Sequence, residues 1–361
     1  MSRYLSERHA RLEAYTPGEQ PKDRRYIKLN TNESPFPPSP GVQAAVSEEV
    51  GRLQLYSDPL CRDLNRKAAE VYGVGEDHIL MTNGSDEILQ FAFMAFGDES
   101  RPFAFPDLTY GFYSVFADLH GIPYTRVPLR EDLGICVEDY DGHHGPIVIA
   151  NPNAPTGRLL PPDAIDYLVR THRDAPVIID EAYIDFGGES AIPLVDRYDN
   201  LLVTRTFSKS FSMAGARLGF GIAQPTLIRD LDLMKYSTNP YNVNRMTMAA
   251  GVAALRDIDY YRENCRRIMK TRERVAKQLR TMGFFVTDSM ANFLFVRHGQ
   301  VGGEALYHAL RARGILVRHF DTPAIRDFNR ITVGSDDEMN ALLKAITEVL
   351  DDKGYPIKEN V

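Results

Sequence analysis

Short, wholly apolar runs alternate with helical patterns through the middle of the chain. The clearest runs cover residues 147–150, 177–179 and 201–203, and turn-forming residues bound each of them. A run that is apolar at every position is typical of a parallel strand covered by helices on both faces. The pattern from residue 41 to about residue 255 therefore predicts an α/β fold with a mostly parallel sheet between helices.

The two ends of the chain follow other patterns. The first forty residues are rich in proline, asparagine and charge, and the prolines at 35, 37, 38 and 40 indicate an extended arm without a helix. The last part predicts a long helix over about 255–282, strands at 293–296, 315–317 and 331–333, a helix over 303–313, and a final helix that a capping box opens at Ser335. We thus predict three parts: an N-terminal arm (1–40), a large α/β domain (41–255) and a smaller α+β C-terminal domain (256–361) that also receives part of the arm.

Composition narrows the class of protein. The chain has 361 residues, which favours two domains over one, and no apolar run approaches the length of a membrane span. A net charge of −7 without a basic block argues against nucleic acid as the partner. Cys61, Cys136 and Cys265 are too far apart for a paired-cysteine metal site, and we expect a reducing cytoplasm. The pair His143-His144 lies in a glycine-rich turn, where an exposed loop is favoured over a metal site.

A polar segment follows each of the three apolar runs. NPNAPTG follows the first, DEAY the second and TRTFSK the third. In open α/β sheets, ligands bind at the carboxyl ends of the strands. The sequence therefore predicts one pocket that all three segments line.

The side chains in these segments fit the chemistry of pyridoxal 5′-phosphate (PLP), which needs an imine-forming lysine and a carboxylate on its pyridine nitrogen. Lys209 is the only lysine in a long, nearly uncharged stretch, which favours the imine over a solvated surface lysine. Asp180 closes a buried strand, where a carboxylate is unfavourable unless paired, although a helix N-cap is the alternative. Tyr183 can reach the ring hydroxyl of the cofactor.

The cofactor phosphate needs amide donors and an arginine, and the ring needs an aromatic partner. We assign the phosphate site to a helix start and to a second segment near the lysine, and they contribute Gly84, Ser85, Asp86, Ser208 and Arg217. Tyr110 is the candidate for stacking on the ring, with a tyrosine of the hydrophobic core as the alternative.

Taken in order, the segments NGSDE, FPDLTYG, NPNAPTG, VIIDEAY and TFSKSFSMAGARLGF resemble the fold-type I aminotransferases, and most closely the histidinol-phosphate aminotransferase family. The resemblance extends from LNTNESPF to NRITVG. It implies a homodimer with active sites at the subunit interface and an arm that packs on both the small domain and the partner subunit. It also implies roles for further residues: Tyr56 reaches the neighbour's cofactor phosphate, Tyr15 closes over the site, Arg330 and Arg318 bind substrate carboxylate or phosphate, and Tyr241 and Asn244 come from across the dimer.

The chain departs from the family at one position. Relatives usually have an asparagine immediately before Pro-Thr-Gly, hydrogen-bonded to the cofactor's ring hydroxyl, and here that residue is Ala154. Asn153 or Asn151 can substitute, or Tyr183 can act alone. We favour Asn153.

The resemblance implies transamination of L-histidinol phosphate with 2-oxoglutarate, giving imidazole-acetol phosphate and glutamate in histidine biosynthesis. An aromatic amino-acid aminotransferase and a threonine-phosphate decarboxylase are the enzyme alternatives. The segment LNTNESPF favours the histidinol-phosphate aminotransferase over both of them. A PLP-fold transcription regulator would need a helix-turn-helix module, for which the forty residues before the large domain leave no room. A dinucleotide-dependent oxidoreductase would need a GxGxxG segment after a strand, and the sequence has none.

Overall fold

The computed structural model describes residues 2–7 and 9–355. Its strands are β1 (Ile27–Lys28), β2 (Ile79–Thr82), β3 (Phe103–Pro106), β4 (Tyr124–Val127), β5 (Ile147–Ala150), β6 (Val177–Asp180), β7 (Leu201–Thr206), β8 (Gly219–Ala223), β9 (Phe284–Val286), β10 (Phe293–His298), β11 (Ile315–Leu316), β12 (Arg318–His319) and β13 (Phe328–Thr332). Its α-helices are α1 (Pro40–Val50), α2 (Arg62–Tyr72), α3 (Ser85–Phe96), α4 (Phe112–His120), α5 (Pro162–Thr171), α6 (Pro225–Thr238), α7 (Arg245–Arg256), α8 (Ile258–Thr281), α9 (Gly303–Ala312) and α10 (Asp336–Asp352).

Seven strands form the large sheet, in the order β2-β8-β7-β6-β5-β3-β4. Strand β8 runs antiparallel to both of its neighbours, and the remaining pairs are parallel. The three apolar runs are β5, β6 and the first half of β7, which confirms the predicted strands and the α/β class.

The side chains of β5 explain why these strands are apolar at every position. Ile147 and Ile149 belong to one hydrophobic cluster, whereas Val148 and Ala150 belong to a second one. Since successive side chains of a strand point to opposite faces, the two clusters cover the two faces of the sheet. Both faces are buried, and neither offers a place for a polar residue before the strand ends.

A second sheet has the order β12-β13-β10-β9 and is antiparallel throughout. It shares a separate hydrophobic cluster with α8, α9 and α10. The predicted capping box is present, because the Ser335 hydroxyl accepts from the Glu338 amide and the Glu338 carboxylate accepts from the Ser335 amide. The arm reaches this part of the chain through the parallel pair β1–β11. The proposed domain boundaries at residues 40 and 255 stay predictions.

The predicted long helix around 255–282 is confirmed as α8, which begins at Ile258 because α7 ends at Arg256. Two other expectations about elements need correction. The predicted strand at 315–317 is two short strands, β11 and β12, which pair with different partners. Pro40 starts α1 instead of preventing it, because a proline in the first turn lacks only an amide that would have no partner there.

Membrane-spanning helices and metal-binding clusters are both absent from the described part of the chain. No helix within residues 2–7 and 9–355 is long and apolar enough to cross a membrane. The same residues contain no group of three or more His, Cys, Asp or Glu side chains that could hold a metal ion.

Candidate active site

The carboxyl ends of β5, β6 and β7 meet at one edge of the large sheet. The register aligns Ala150 with Asp180 and Asp180 with Thr204. Lys209 lies in the turn that follows β7, three residues after Thr206. The parallel order of these strands therefore brings the lysine, the carboxylate and the NPNAPTG segment to the same edge.

Asp180 is 4% exposed and has two side-chain donors. The Tyr113 hydroxyl donates to Oδ2 at 2.9 Å and the Thr204 hydroxyl donates to Oδ1 at 3.1 Å. Burial raises the pKa of Asp180 to about 6 in spite of these hydrogen bonds. A cationic partner would restore the charged form, and a protonated pyridine nitrogen supplies such a charge.

Lys209 and Tyr183 lie side by side. The lysine Nζ is 5.8 Å from the centroid of the Tyr183 ring, and no ion pair holds it among residues 2–7 and 9–355. Lys209 is partly buried. The Tyr183 hydroxyl accepts from the Asn32 side-chain amide at 3.0 Å. An amine at a strand end that forms no ion pair is suited to imine formation.

The predicted phosphate site consists of a helix start and an arginine that face each other. Helix α3 begins at Ser85 with Gly84 as its N-cap, so its first amides have no partner within the helix. A Cβ on Gly84 would lie 2.5 Å from Nη2 of Arg217, and the φ of +80° also favours glycine there. Arg217 Nη1 donates to the Ser208 hydroxyl at 3.5 Å. This set of donors fits a phosphate dianion.

Asp86 connects the predicted stacking residue to the predicted phosphate site. Its carboxylate accepts from the Tyr110 hydroxyl at 2.7 Å and from Arg217 Nη2 at 3.0 Å. Burial, followed by the negative charge of Asp86, raises the pKa of Tyr110. Asp86 thus orients two side chains that were predicted independently of it.

Asn153 and Asn151 are both fully buried, and their amides are engaged within the protein. Asn153 Nδ2 donates to the Leu108 carbonyl and to the Thr156 hydroxyl, and its Oδ1 accepts from Thr109. Asn151 exchanges two hydrogen bonds with the backbone of Leu160. The role favoured for Asn153 would require one of its present hydrogen bonds to break, and it stays a prediction.

The predicted substrate arginines lie at one end of the second sheet. Arg330 Nη2 donates to the Asn30 carbonyl at 3.2 Å, whereas its Nε is buried without a partner. Desolvation lowers the pKa of Arg330, and the nearby charge of Arg318 acts in the same direction. Arg318 donates to the carbonyls of Thr16 and Pro17 in the arm. The arm also brings the Tyr15 ring within 4.6 Å of the Phe112 ring, close to Gly111.

Tyr56 has no contact with this cluster in the single chain. It is 81% exposed, and its ring stacks on Tyr241 at 4.7 Å. Asn244 caps α7, since its side chain accepts from the Thr247 amide. These placements neither bring Tyr56, Tyr241 and Asn244 to the chain's own lysine nor assign them to a neighbour's.

Three residues at the site were not identified from the sequence: Tyr113, Thr204 and Asn32. Tyr113 lies three residues after Tyr110, at the start of α4, and a helical spacing from a predicted residue was the available signal. Thr204 aligns with Asp180 only through the strand register. Asn32 is 151 residues from Tyr183 in the chain, and no local pattern connects them.

The geometry fits PLP at each of its polar groups. Asp180 is a buried carboxylate that lacks a cation, Arg217 faces a helix start where a side chain would not fit, and Lys209 forms no ion pair among the described residues. PLP presents a pyridinium, a phosphate and an aldehyde, one for each of these groups.

Comparisons with known proteins agree with this assignment. The model of the aminotransferase class I and II family matches residues 24–346. The histidinol-phosphate aminotransferase of Brachyspira hyodysenteriae is 46% identical over 352 residues, which cover 97% of this chain and 99% of that protein. Histidinol-phosphate aminotransferase 2 of Dechloromonas aromatica is 48% identical over 354 residues, which cover 97% and 99%.

A solved structure gives the same result for the fold. The histidinol-phosphate aminotransferase from Sinorhizobium meliloti, in complex with PLP, superposes with a TM-score of 0.85 at 26% identity, over 91% of this chain and 92% of that one. Two independent comparisons give the same family. The family model matches most of the chain, and the full-length relatives are 46–48% identical to it. The chain therefore belongs to the class I and II aminotransferases and, within them, to the histidinol-phosphate aminotransferase family.

Proposed function

We propose that this aminotransferase moves the amino group of L-histidinol phosphate to 2-oxoglutarate, giving imidazole-acetol phosphate and glutamate in histidine biosynthesis. PLP supplies the electron sink and carries the amino group between the two substrates. Lys209 holds the cofactor and moves the proton at the substrate's reacting carbon. Asp180 keeps the pyridine nitrogen protonated, and Tyr183 binds the ring hydroxyl.

The environment of Arg330 is the observation that best supports an anionic substrate. Its guanidinium is desolvated, its Nε is buried without a partner, and its ring neighbours Phe293 and Phe320 supply no negative charge. A desolvated arginine without a carboxylate is unfavourable until an anion binds. Both substrates bring one, the phosphate of the donor and the carboxylates of the acceptor. Arg318, which repels Arg330, gives the same anion a second cation.

A half-reaction distinguishes this substrate from the alternatives. The PLP enzyme is mixed with L-histidinol phosphate alone, and the loss of the cofactor's visible absorbance is followed. Phenylalanine and O-phosphothreonine are tested in parallel. Faster conversion with histidinol phosphate supports the proposal, faster conversion with phenylalanine replaces it with an aromatic aminotransferase, and release of carbon dioxide from phosphothreonine replaces it with a decarboxylase.

A matched pair of variants tests the arginine. Arg330→Gln removes the half-buried cation, and Arg326→Gln makes the same change at an exposed side chain nearby. We expect Arg330→Gln to lower the rate constant for histidinol phosphate by about 10- to 100-fold, the range of a charged hydrogen bond. Arg326→Gln should leave it unchanged. Equal rates in the two variants would contradict the role of Arg330.

We also propose a homodimer in which Tyr56 serves the partner's site. Several large apolar side chains near Tyr56 are exposed in the single chain: Val50, Leu53, Leu55, Leu60, Tyr236 and Tyr241. Such a patch is typical of an interface. Subunit mixing tests the proposal, because a hybrid of Lys209→Ala and Tyr56→Ala subunits contains one intact site. Two inactive variants should regain about a quarter of the wild-type activity after mixing, and no recovery in verified hybrids would refute the exchange of Tyr56.

A cytoplasmic location completes the proposal. The three cysteines are free, and Cys61 and Cys265 are buried where oxidation would disturb packing. Unpaired buried thiols suit a reducing compartment.

A further inference from the structure

The hydroxyl of Tyr183 has a fixed donor. Asn32 Nδ2 lies 3.0 Å from it and, as an amide NH₂, can only donate. The Tyr183 oxygen therefore accepts from Asn32, and its own proton points elsewhere. No acceptor for that proton is present among residues 2–7 and 9–355.

The orientation of the Asn32 amide is set by its other neighbours. The Thr332 hydroxyl accepts from the Asn32 backbone amide at 2.9 Å, so its single proton is free to donate to Asn32 Oδ1, 3.1 Å away. Asn292 Nδ2 donates to the Asn32 carbonyl at 3.0 Å. Asn32 is 1% exposed and has a φ of +56°, a conformation that asparagine tolerates better than most residues. Since Oδ1 faces Thr332, Nδ2 must face Tyr183.

The hydrogen bond from Asn32 to Tyr183 matters more in this chain because residue 154 is an alanine. Its methyl group packs with Ala291, Phe293 and the Tyr183 ring, where it supplies no donor. The amide of Asn153 is occupied by Leu108, Thr156 and Thr109, as described above. Tyr183 is then the donor that remains for the ring hydroxyl of the cofactor.

We infer that Asn32 is a positioning residue, which holds the Tyr183 hydroxyl so that its proton is donated to the ring hydroxyl oxygen of PLP. Tyr183, held in this orientation, thereby replaces the direct amide donor that an asparagine at position 154 would provide. The inference rests on PLP binding at Lys209 but not on the identity of the amino donor. The two fail separately, because a protein without a visible cofactor chromophore would refute PLP binding before Asn32 is tested.

The pH dependence of the bound cofactor's visible absorbance measures this hydrogen bond. A donor to the ring oxygen withdraws electron density from it, so the nearby nitrogen that links Lys209 to the cofactor releases its proton at lower pH. Loss of the donor should raise the midpoint of the absorbance change. A hydrogen bond to a charged group corresponds to a rise of about one pH unit.

Asn32→Asp reverses the direction of the hydrogen bond at nearly constant size. The carboxylate accepts the Tyr183 proton and so withdraws it from the cofactor. We expect the midpoint to rise about as far as in Tyr183→Phe, by about one unit. If Asn32→Asp does not fold, Thr332→Val removes the group that orients the amide and should give a smaller rise.

A double-mutant cycle separates positioning from the new negative charge. Titratable groups that interact with Tyr183 or Lys209 are present in all members of the cycle and cancel: Glu33, Lys209, Arg330, Tyr110 and Tyr113. If Asn32 acts through the hydroxyl, Asn32→Asp has little further effect in the Tyr183→Phe background. An additive rise in the double variant would overturn the inference. The same criterion applies to Thr332→Val.

Ala154→Asn provides the converse test. It returns a direct amide donor beside Tyr183, so the midpoint should respond much less to Asn32→Asp in this background. Cofactor dissociation constants, measured by adding PLP to the apoprotein, should follow the same order. If Asn32→Asp raises the midpoint in the Ala154→Asn protein as far as it does in the wild type, Asn32 does not act by positioning Tyr183 as the substitute donor.

Discussion

Substitution of Asp180 by asparagine should have opposite effects on the protein with and without cofactor. In the apoprotein, burial raises the pKa of Asp180 from 3.8 to about 6. A raised pKa means that the folded state binds the proton more tightly than the unfolded state does. The stabilisation is complete below pH 3.8 and is lost as the pH rises through about 6. Above that window the buried carboxylate is charged and lacks a cation.

The size of this effect follows from the shift of about two units. Each unit corresponds to about 1.4 kcal/mol, so the charged carboxylate destabilises the apoprotein by about 3 kcal/mol near pH 8. Asp180→Asn removes the charge and keeps the shape. Because the Tyr113 and Thr204 hydroxyls can rotate to accept from an amide, we expect the variant apoprotein to be more stable by about 1–3 kcal/mol at that pH.

Urea unfolding of the two apoproteins measures the difference, at matched protein concentration since assembly also contributes. The gain should shrink near pH 4, where both residues are neutral. Asp259→Asn, at a 90% exposed side chain, is the control and should give no comparable gain. With cofactor, the order should reverse, and removal of the pyridinium's partner should weaken PLP binding by about 100-fold or more. A variant apoprotein that is less stable than wild type near pH 8 would refute the reasoning.

Three further changes test other parts of the site. Lys209→Ala should retain PLP through its phosphate and pyridine contacts but lose turnover by at least about 10²-fold, the contribution of a positioned proton-transfer group; full steady-state activity would contradict the assignment. Arg330→Lys should raise the KM for histidinol phosphate by about 10-fold, because an ammonium cannot make the forked contact; an unchanged KM would indicate another anion site. Arg205→Met leaves the buried carboxylate of Glu181 and the half-buried carboxylate of Asp185 without this cation, and unfolding in urea should reveal a loss of about 3–5 kcal/mol; an unchanged midpoint would show that water or protons replace the arginine.

Residues at the ends of predicted strands were accessible from the sequence, and residues that meet through distant packing were not. Runs such as Ile147–Ala150 are apolar on both faces, so their ends mark the edge of the sheet, and Asp180 follows from the same rule. Tyr113 reaches Asp180 from 67 residues away, through the packing of α4 on the sheet. The side chain of Asn153, whose role at the cofactor stays a prediction, is hydrogen-bonded to a loop 45 residues earlier, and no local pattern indicated that contact. The spacing of hydrophobic residues predicts the helices and strands. The orientation of a side-chain amide depends on hydrogen-bond partners that only the folded chain brings together.

Successive side chains of β6 and β7 point to opposite faces of the sheet, so the predicted catalytic residues and the residues that stabilise the strand ends lie on different faces. Asp180 and Thr204 share one face of the sheet, where the Asp180 carboxylate accepts from the Thr204 hydroxyl. The next residues, Glu181 and Arg205, point to the opposite face and form a buried ion pair with side chains 0% and 6% exposed. Arg205 also pairs with Asp185, whose carboxylate accepts from Ser210 beside Lys209. The turn that carries the lysine is thus fixed from the face opposite to the one that Asp180 shares with Thr204. Each strand end can therefore present a reactive group on one side because its neighbour holds the chain on the other.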